Sequence, residues 1–276
     1  MEQELQTLTL TVCDVAKRAG SFIRNERRQF SEQHVERKHA HDYVSYVDKG
    51  SEQLIVAELR ALLPQAGFIT EEGSATHGEE ALLWVIDPLD GTTNFIHGFA
   101  PYAVSIALVQ TTPGTTAQAD SILLGVVYDI SADECFCAWQ GGGAYVDGQP
   151  LHVASHAIAD ALLCFQLPYD SEAYKPTAQH LIDTFYGRAA SIRMLGSAAV
   201  ALCHVAAGRL DGYAEKHIGQ WDYMAGAILV SEAGGLVTDY DGSPHFTRGD
   251  SVVATNGLIQ QDLLQAIKKN LYAKTN

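Results

Sequence analysis

Basic residues are scarce in this chain: 18 lysines and arginines stand against 33 aspartates and glutamates, for a formal net charge of −15 at pH 7. A sequence-independent grip on nucleic-acid phosphates needs a positive surface, so no nucleic-acid partner is expected. Long apolar runs are missing too. No stretch of about 18 apolar residues occurs, which excludes a membrane-spanning helix. Glu2 and Glu4 precede the first leucine-rich turn, so the N-terminus lacks the basic-then-apolar order of a secretory signal, and the expected location is cytoplasmic. Cysteine is sparse and odd in number. Cys13, Cys135, Cys137, Cys164 and Cys203 are scattered through mostly apolar segments, the pattern of buried thiols rather than of a disulfide framework or a zinc site. Gly141, Gly142 and Gly143 are not followed by the Lys-Ser/Thr of a nucleotide phosphate loop and read as a turn.

What is present organises itself around Leu83–Gly98. Leu83 to Ile86 form an apolar run suited to a strand buried on both faces, ending at Asp87 and Pro88. Pro88 removes an N–H, so the chain is expected to leave the sheet there and present Asp90 beside Asp87. Gly91, Thr92 and Thr93 are the types found where a loop turns into a helix and leaves N–H groups outward. Asp-Pro and Asp-Gly are also ordinary turn dipeptides. The combination points further, because two converging carboxylates repel unless a cation lies between them, and hard cations such as magnesium prefer carboxylate oxygen. Bound metal would also let a phosphorylated substrate approach an acidic protein.

The rest of the chain reads as alternating elements. Leu5, Leu8, Val12, Val15, Ala16, Ala19, Phe22 and Ile23 recur at helical spacing, predicting an amphipathic helix over residues 3–28. A polar segment with Lys38, His39, His41, Asp42 and Ser45 follows, its histidines read as solvated loop residues rather than metal ligands. Asp48 falls at the start of a helix ended by Pro64, and taken alone is a cap. A short strand at 67–70 ends in Glu71 and Glu72 and could bring a carboxylate to the same sheet edge as Asp87. Runs at 102–110, 122–128 and 134–139, punctuated by Pro113-Gly114 and the three glycines, suggest an antiparallel meander. The second half predicts strands at 162–167, 191–195, 210–215 and 252–255. Its helices are expected at 172–186, from Ser197 to Gly208, from Asp222 to Gly234, and over 258–271. At 276 residues and 47% hydrophobic, one domain over 1–276 is expected, with approximate halves 1–150 and 151–276.

Glu71-Glu72, the segment Trp84 to Phe95, and Trp221-Asp222 with Ala225-Gly226 and Ser231 to Gly235 resemble the inositol monophosphatase family of magnesium-dependent, lithium-sensitive phosphatases. Gly196 to Ala199 and Asp211 to Glu215 are similar to its substrate-side segments. The departures are Ser45 where threonine is usual and Gly219 where some members carry histidine. The resemblance implies an α/β (α+β) fold, layered α/β/α/β/α, in a homodimer. It implies that Glu71, Asp87 and the Leu89 carbonyl hold one Mg2+, that Asp87, Asp90 and Asp222 hold a second, and that Glu71 helps hold a weaker third. Thr92, oriented by Asp48, would position the attacking water, N–H groups of Gly91 and Thr92 would bind phosphate, and Asp90, Ala198 and Glu215 would meet the substrate's hydroxyls. The expected activity is direct hydrolysis of a small phosphorylated polyol, first myo-inositol-1-phosphate. The same chemistry on histidinol phosphate, fructose-1,6-bisphosphate or 3′-phosphoadenosine 5′-phosphate is the alternative. A non-catalytic regulatory interaction protein is the reading from another class.

Overall fold

The computed structural model describes residues 2–30, 35–39, 42–75, 80–112, 121–166, 171–244 and 250–271; the side chains of 35–43, 171–173 and 270–271 are outside the description. Lys38, His39, His41, Asp42, the Pro113-Gly114 turn and Leu167 therefore fall outside the residues or side chains described here.

The amphipathic pattern of the N-terminus forms α1, Glu2–Arg27, whose buried stripe includes Val12, Val15, Ala16, Ala19 and Ile23. The polar segment after it is not a simple loop. It contains an antiparallel ribbon of β1, Val35–His39, and β2, Asp42–Ser45, before α2, Tyr46–Leu62. A two-stranded ribbon has no buried apolar face of its own to leave an alternating signal in the sequence, so periodicity could not reveal it.

β3, Gly67–Thr70, lies parallel to β4, Leu82–Asp90, with Thr70 opposite Ile86. From β4 the sheet runs antiparallel through β5, Ala103–Gln110; β6, Ile122–Asp129; β7, Glu134–Trp139; β8, Gly143–Val146; and β9, Gln149–Pro150. The expected meander is present. β4, however, does not end at Asp87 and Pro88: pairing resumes at Asp90 opposite Ala103 after an irregularity. A bulge tolerates the missing N–H of Pro88 without ending the strand.

A short helix, α3, Thr92–His97, follows β4. The second sheet has the order β11-β10-β12-β14-β13, built from β10, Leu162–Phe165; β11, Ser191–Arg193; β12, Gly212–Lys216; β13, Leu236–Thr238; and β14, Ser251–Thr255. β13 was not anticipated, since three residues after two glycines are too few to show a period. Helices α4, Ser171–Phe185; α5, Ala198–Ala206; α6, Gln220–Glu232; and α7, Gln260–Leu271, complete the chain.

The apolar clusters define the layers. One packs α1 and α2 on one face of the seven-stranded sheet. A second fills the space between the two sheets with α5 and α6, whose runs Ala198–Cys203 and Tyr223–Val230 are buried. A third packs α4 and α7 on the outer face of the five-stranded sheet. The order is α/β/α/β/α, as expected. The central approach is close: a Cβ on Gly125 of β6 would lie 2.6 Å from the Ala225 carbonyl oxygen, so glycine lets α6 rest directly on the sheet. That seating fixes where the N-terminus of α6 points. Among the described residues no helix is long and apolar enough to cross a membrane.

Candidate metal and phosphate site

Residues three apart on a regular strand face opposite sides of the sheet. The irregularity between Asp87 and Asp90 re-aims the second carboxylate, and Pro88 and Leu89 occupy it. Asp222 arrives from the third position of α6, where its Oδ2 accepts the Gly219 N–H at 2.7 Å. Carboxylate oxygens of Asp87, Asp90 and Asp222 all lie within 4.8 Å of one another. Asp222 is thus both the helix cap of the plainer reading and a member of the acidic group. Glu71, one residue beyond β3, donates its N–H to the Ile86 carbonyl at 3.2 Å, and its carboxyl shares a hydrogen bond with Asp87. The parallel pairing of β3 with β4 delivers it there.

The cluster is electrostatically costly. Burial, and then the charges of Glu71, Asp90 and Asp222, push the Asp87 carboxyl well above the ordinary aspartate range. Asp222 is raised well above it as well, by burial first and then by Glu71, Asp90 and Glu215. Asp90 reaches only about 6, because hydrogen bonds offset its burial. Its Oδ2 accepts from the Ser197 hydroxyl and from the Ala199 N–H at 2.9 Å, and its Oδ1 from the Ala198 N–H at 3.3 Å. Asp90 therefore sits on the N-terminus of α5, where the first half of the chain meets the second. The donor set, carboxylates that repel one another, with Asp87 and Asp90 buried and Asp222 half-buried, fits a hard divalent cation and is poorly suited to a soft one.

Beside the acids, Gly91 takes the left-handed conformation (φ 87°) that turns β4 into α3. The Thr92 hydroxyl lies 2.9 Å from both Asp48 Oδ1 and the Leu89 carbonyl oxygen. Asp48 Oδ2 accepts from the Ser45 N–H at 2.9 Å and the Ser45 hydroxyl at 2.6 Å, closing a capping box at the start of α2. Ser45 supplies the hydroxyl and the N–H that these bonds use. Burial raises the Asp48 carboxyl, with the Ser45 and Thr92 bonds working against it.

A cavity of about 390 Å³ opens from this point, with Asp90, Gly91, Ala198, Glu215 and Asp222 in its wall. Tyr213 donates its hydroxyl hydrogen to Glu215 Oε2. Burial lifts the Glu215 carboxyl to about 8, with Asp90 adding to the rise. Ala198, whose backbone is expected to meet substrate, lies in the cavity wall and donates its N–H to Asp90 Oδ1. Sequence reasoning gave no side-chain role to Thr93, whose buried hydroxyl has no partner among the described residues, and did not single out the wall residues Phe99, Gln166, Met194 and His217. Thr93 was legible as the neighbour of Thr92. The others come from separate loops and carried no local signal.

Raised carboxyl pKa values mean that the folded chain binds more protons than the unfolded one between the two values, so stability falls as pH rises through that window. For Asp90 it runs from 3.8 to about 6, and for Glu215 from 4.5 to about 8. In excess chelator, the melting temperature should therefore fall between about pH 5 and about pH 8, and the gain on adding magnesium should be larger at the upper end. Scanning calorimetry checks this; a chelated protein whose melting temperature is flat or rising over that range contradicts the electrostatic account.

Comparison with known proteins places this geometry. Residues 4–272 match the model of the inositol monophosphatase family. An inositol-1-monophosphatase of Mesorhizobium japonicum is 38% identical over 94% of this chain and 95% of its own. A protein of Pasteurella multocida called Nus factor SuhB is 36% identical over 92% of each. The crystal structure of the extragenic suppressor protein suhB from Bartonella henselae superposes with a TM-score of 0.86 at 34% identity, covering 95% of this chain and 99% of that one. Since the match spans every acid of the site and both sheets that hold them, the chain belongs to the inositol monophosphatase family.

Proposed function

We propose that the protein is a magnesium-dependent phosphate monoesterase, with myo-inositol-1-phosphate as its first candidate substrate. The observation that carries this is the convergence of Asp87, Asp90 and Asp222 at one end of a cavity that has Glu215 in its wall. Glu71, Asp87 and the Leu89 carbonyl would hold one cation and Asp87, Asp90 and Asp222 another, with Glu71 also serving a weaker third. When bound, such cations supply charge neutralisation at the phosphate and lower the pKa of water.

The chain's own groups do the rest. Thr92 offers its Oγ1 to the attacking water, and Asp48, buried and facing that hydroxyl, is placed to receive the proton. N–H groups of Gly91 and Thr92, at the start of α3, would meet phosphate oxygens, and the Thr93 hydroxyl, without a partner among the described residues, would supply one more donor. Water adds to phosphorus, the ester oxygen leaves with a proton as the alcohol, and inorganic phosphate remains. Glu215, Asp90 and Ala198 would face the alcohol. Fructose-1,6-bisphosphate and 3′-phosphoadenosine 5′-phosphate are alternatives for the same chemistry. Histidinol phosphate is the alternative monoester. The reading includes a homodimer working in the cytoplasm, as the family resemblance implies.

A second reading follows from relatives called Nus factor SuhB: a protein acting through a macromolecular partner. The buried acids weigh against that as the whole function, because without a cation they only cost stability.

The experiment is a panel of phosphorylated substrates assayed with magnesium. Hydrolysis should vanish in chelator, return with magnesium, and be inhibited by lithium in the millimolar range. Full turnover in excess chelator contradicts the metal reading, and a stable, magnesium-loaded protein inert on the whole panel favours the partner reading. Glu215→Gln should cost on the order of 1.5–3 kcal/mol in kcat/KM on inositol-1-phosphate and much less on a hydroxyl-poor aryl phosphate. Equal losses on both would place Glu215 in the supporting structure rather than against the alcohol.

A further inference from the structure

The start of α2 carries a buried polar face that the reaction as described uses only in part. Ser45, Asp48, Ser51 and Glu52 are each at most 1% exposed. Ser45 closes the cap on Asp48, and the other three each reach a different segment of the site. Asp48 meets Thr92 at 2.9 Å, and the Ser51 hydroxyl donates to the Pro88 carbonyl at 3.0 Å, inside the irregular stretch between Asp87 and Asp90. Glu52 faces the turn after β3: its Oε2 accepts the Glu72 N–H and its Oε1 the Ser74 N–H, both at 2.8 Å.

A fully buried carboxylate is expensive unless its oxygens are paired, and these two bonds pair both. They also pin residues 72–74, where Gly73 turns the chain in the left-handed conformation (φ 70°). Glu71 is the next residue back along the chain. Its own N–H donates to the Ile86 carbonyl at 3.2 Å, which ties it to the sheet. The direction in which Glu71 leaves β3 is therefore set from two sides, by β4 and by Glu52. An aspartate in place of Glu52 lacks the reach to span both N–H groups, and a glutamine turns a donor toward one of them.

We propose that Glu52 is a positioning residue: it holds the 72–74 turn so that the Glu71 carboxylate faces Asp87, and thereby sets the affinity of the site for a divalent cation. This rests on the reading of Glu71 as a metal ligand. Partners standing one shell behind a metal ligand change affinity by about 10–100-fold when removed.

The test is calorimetric titration of magnesium into chelator-treated full-length protein, for the parent, Glu52→Gln, Glu52→Asp and Glu71→Gln. Both Glu52 variants should bind magnesium about 10–100-fold more weakly. Their kcat should recover as magnesium is raised, with KM for the phosphorylated substrate little changed. Parent-like magnesium affinity in both overturns the proposal. So does a loss of melting temperature equal in chelator and in magnesium with affinity unchanged, which marks a purely structural glutamate. Parent-like affinity in Glu71→Gln removes the ligand reading itself and the proposal with it, whereas a weakened Glu71→Gln beside unaltered Glu52 variants removes the proposal alone.

Discussion

Acids crowded together at the wall of a cavity, two of them buried, are the constraint on which this structure turns. Asp87, Asp90 and Asp222, with Glu71 against Asp87, cannot all be ionised at neutral pH unless positive charge lies among them. The fold supplies part of that charge as helix ends. Asp48 sits at the N-terminus of α2, Asp90 at that of α5 and Asp222 at that of α6, each accepting N–H or hydroxyl hydrogen from the capping region. These bonds hold the carboxylates in place but do not neutralise them, since burial still leaves the cluster's carboxyls above their ordinary range. In the proposed function the remainder is supplied by cations.

The same interactions join the layers. Asp90 ends a strand of the large sheet yet accepts three hydrogen bonds from the start of α5, between the sheets. Asn94 of α3 donates to the Pro101 and Leu195 carbonyls, 2.8 Å each, across the same boundary. Glu232, at the end of α6, accepts the Gly141 and Gly143 N–H groups at 2.9 Å and holds the β7–β8 turn. The three glycines are thus a turn clasped by a carboxylate, and Glu232, part of the sequence resemblance, acts on the scaffold at some remove from the acids.

Much of this was legible from residue order. Apolar runs and their polar ends disclosed the strands that deliver Glu71 and Asp87, and the family resemblance joined Asp48, Thr92, Asp222 and Glu215, which no local spacing connects. What stayed hidden has physical causes. The continuation of β4 through Pro88 depends on a bulge, and a bulge is decided by the partner strand. The β1–β2 ribbon and β13 are too short or too polar to show a period. Glu52 carries no local signal, because the N–H groups its two oxygens accept lie some 20 residues away at Glu72 and Ser74. Asp222 is a capping residue and a member of the acidic cluster at once, since one oxygen accepts the Gly219 N–H while the carboxylate lies with Asp87 and Asp90.

The central claim is that the buried acids hold protons where the working protein holds cations. Calorimetric titration of magnesium into chelated protein at about pH 7, repeated in buffers of different ionisation enthalpy, counts the protons exchanged on binding. The account predicts saturable binding with net release of about one proton or more per chain. Binding with no buffer-dependent heat would mean that the acids were already ionised, and no binding at all would mean that the cluster is not a metal site; either result contradicts the account.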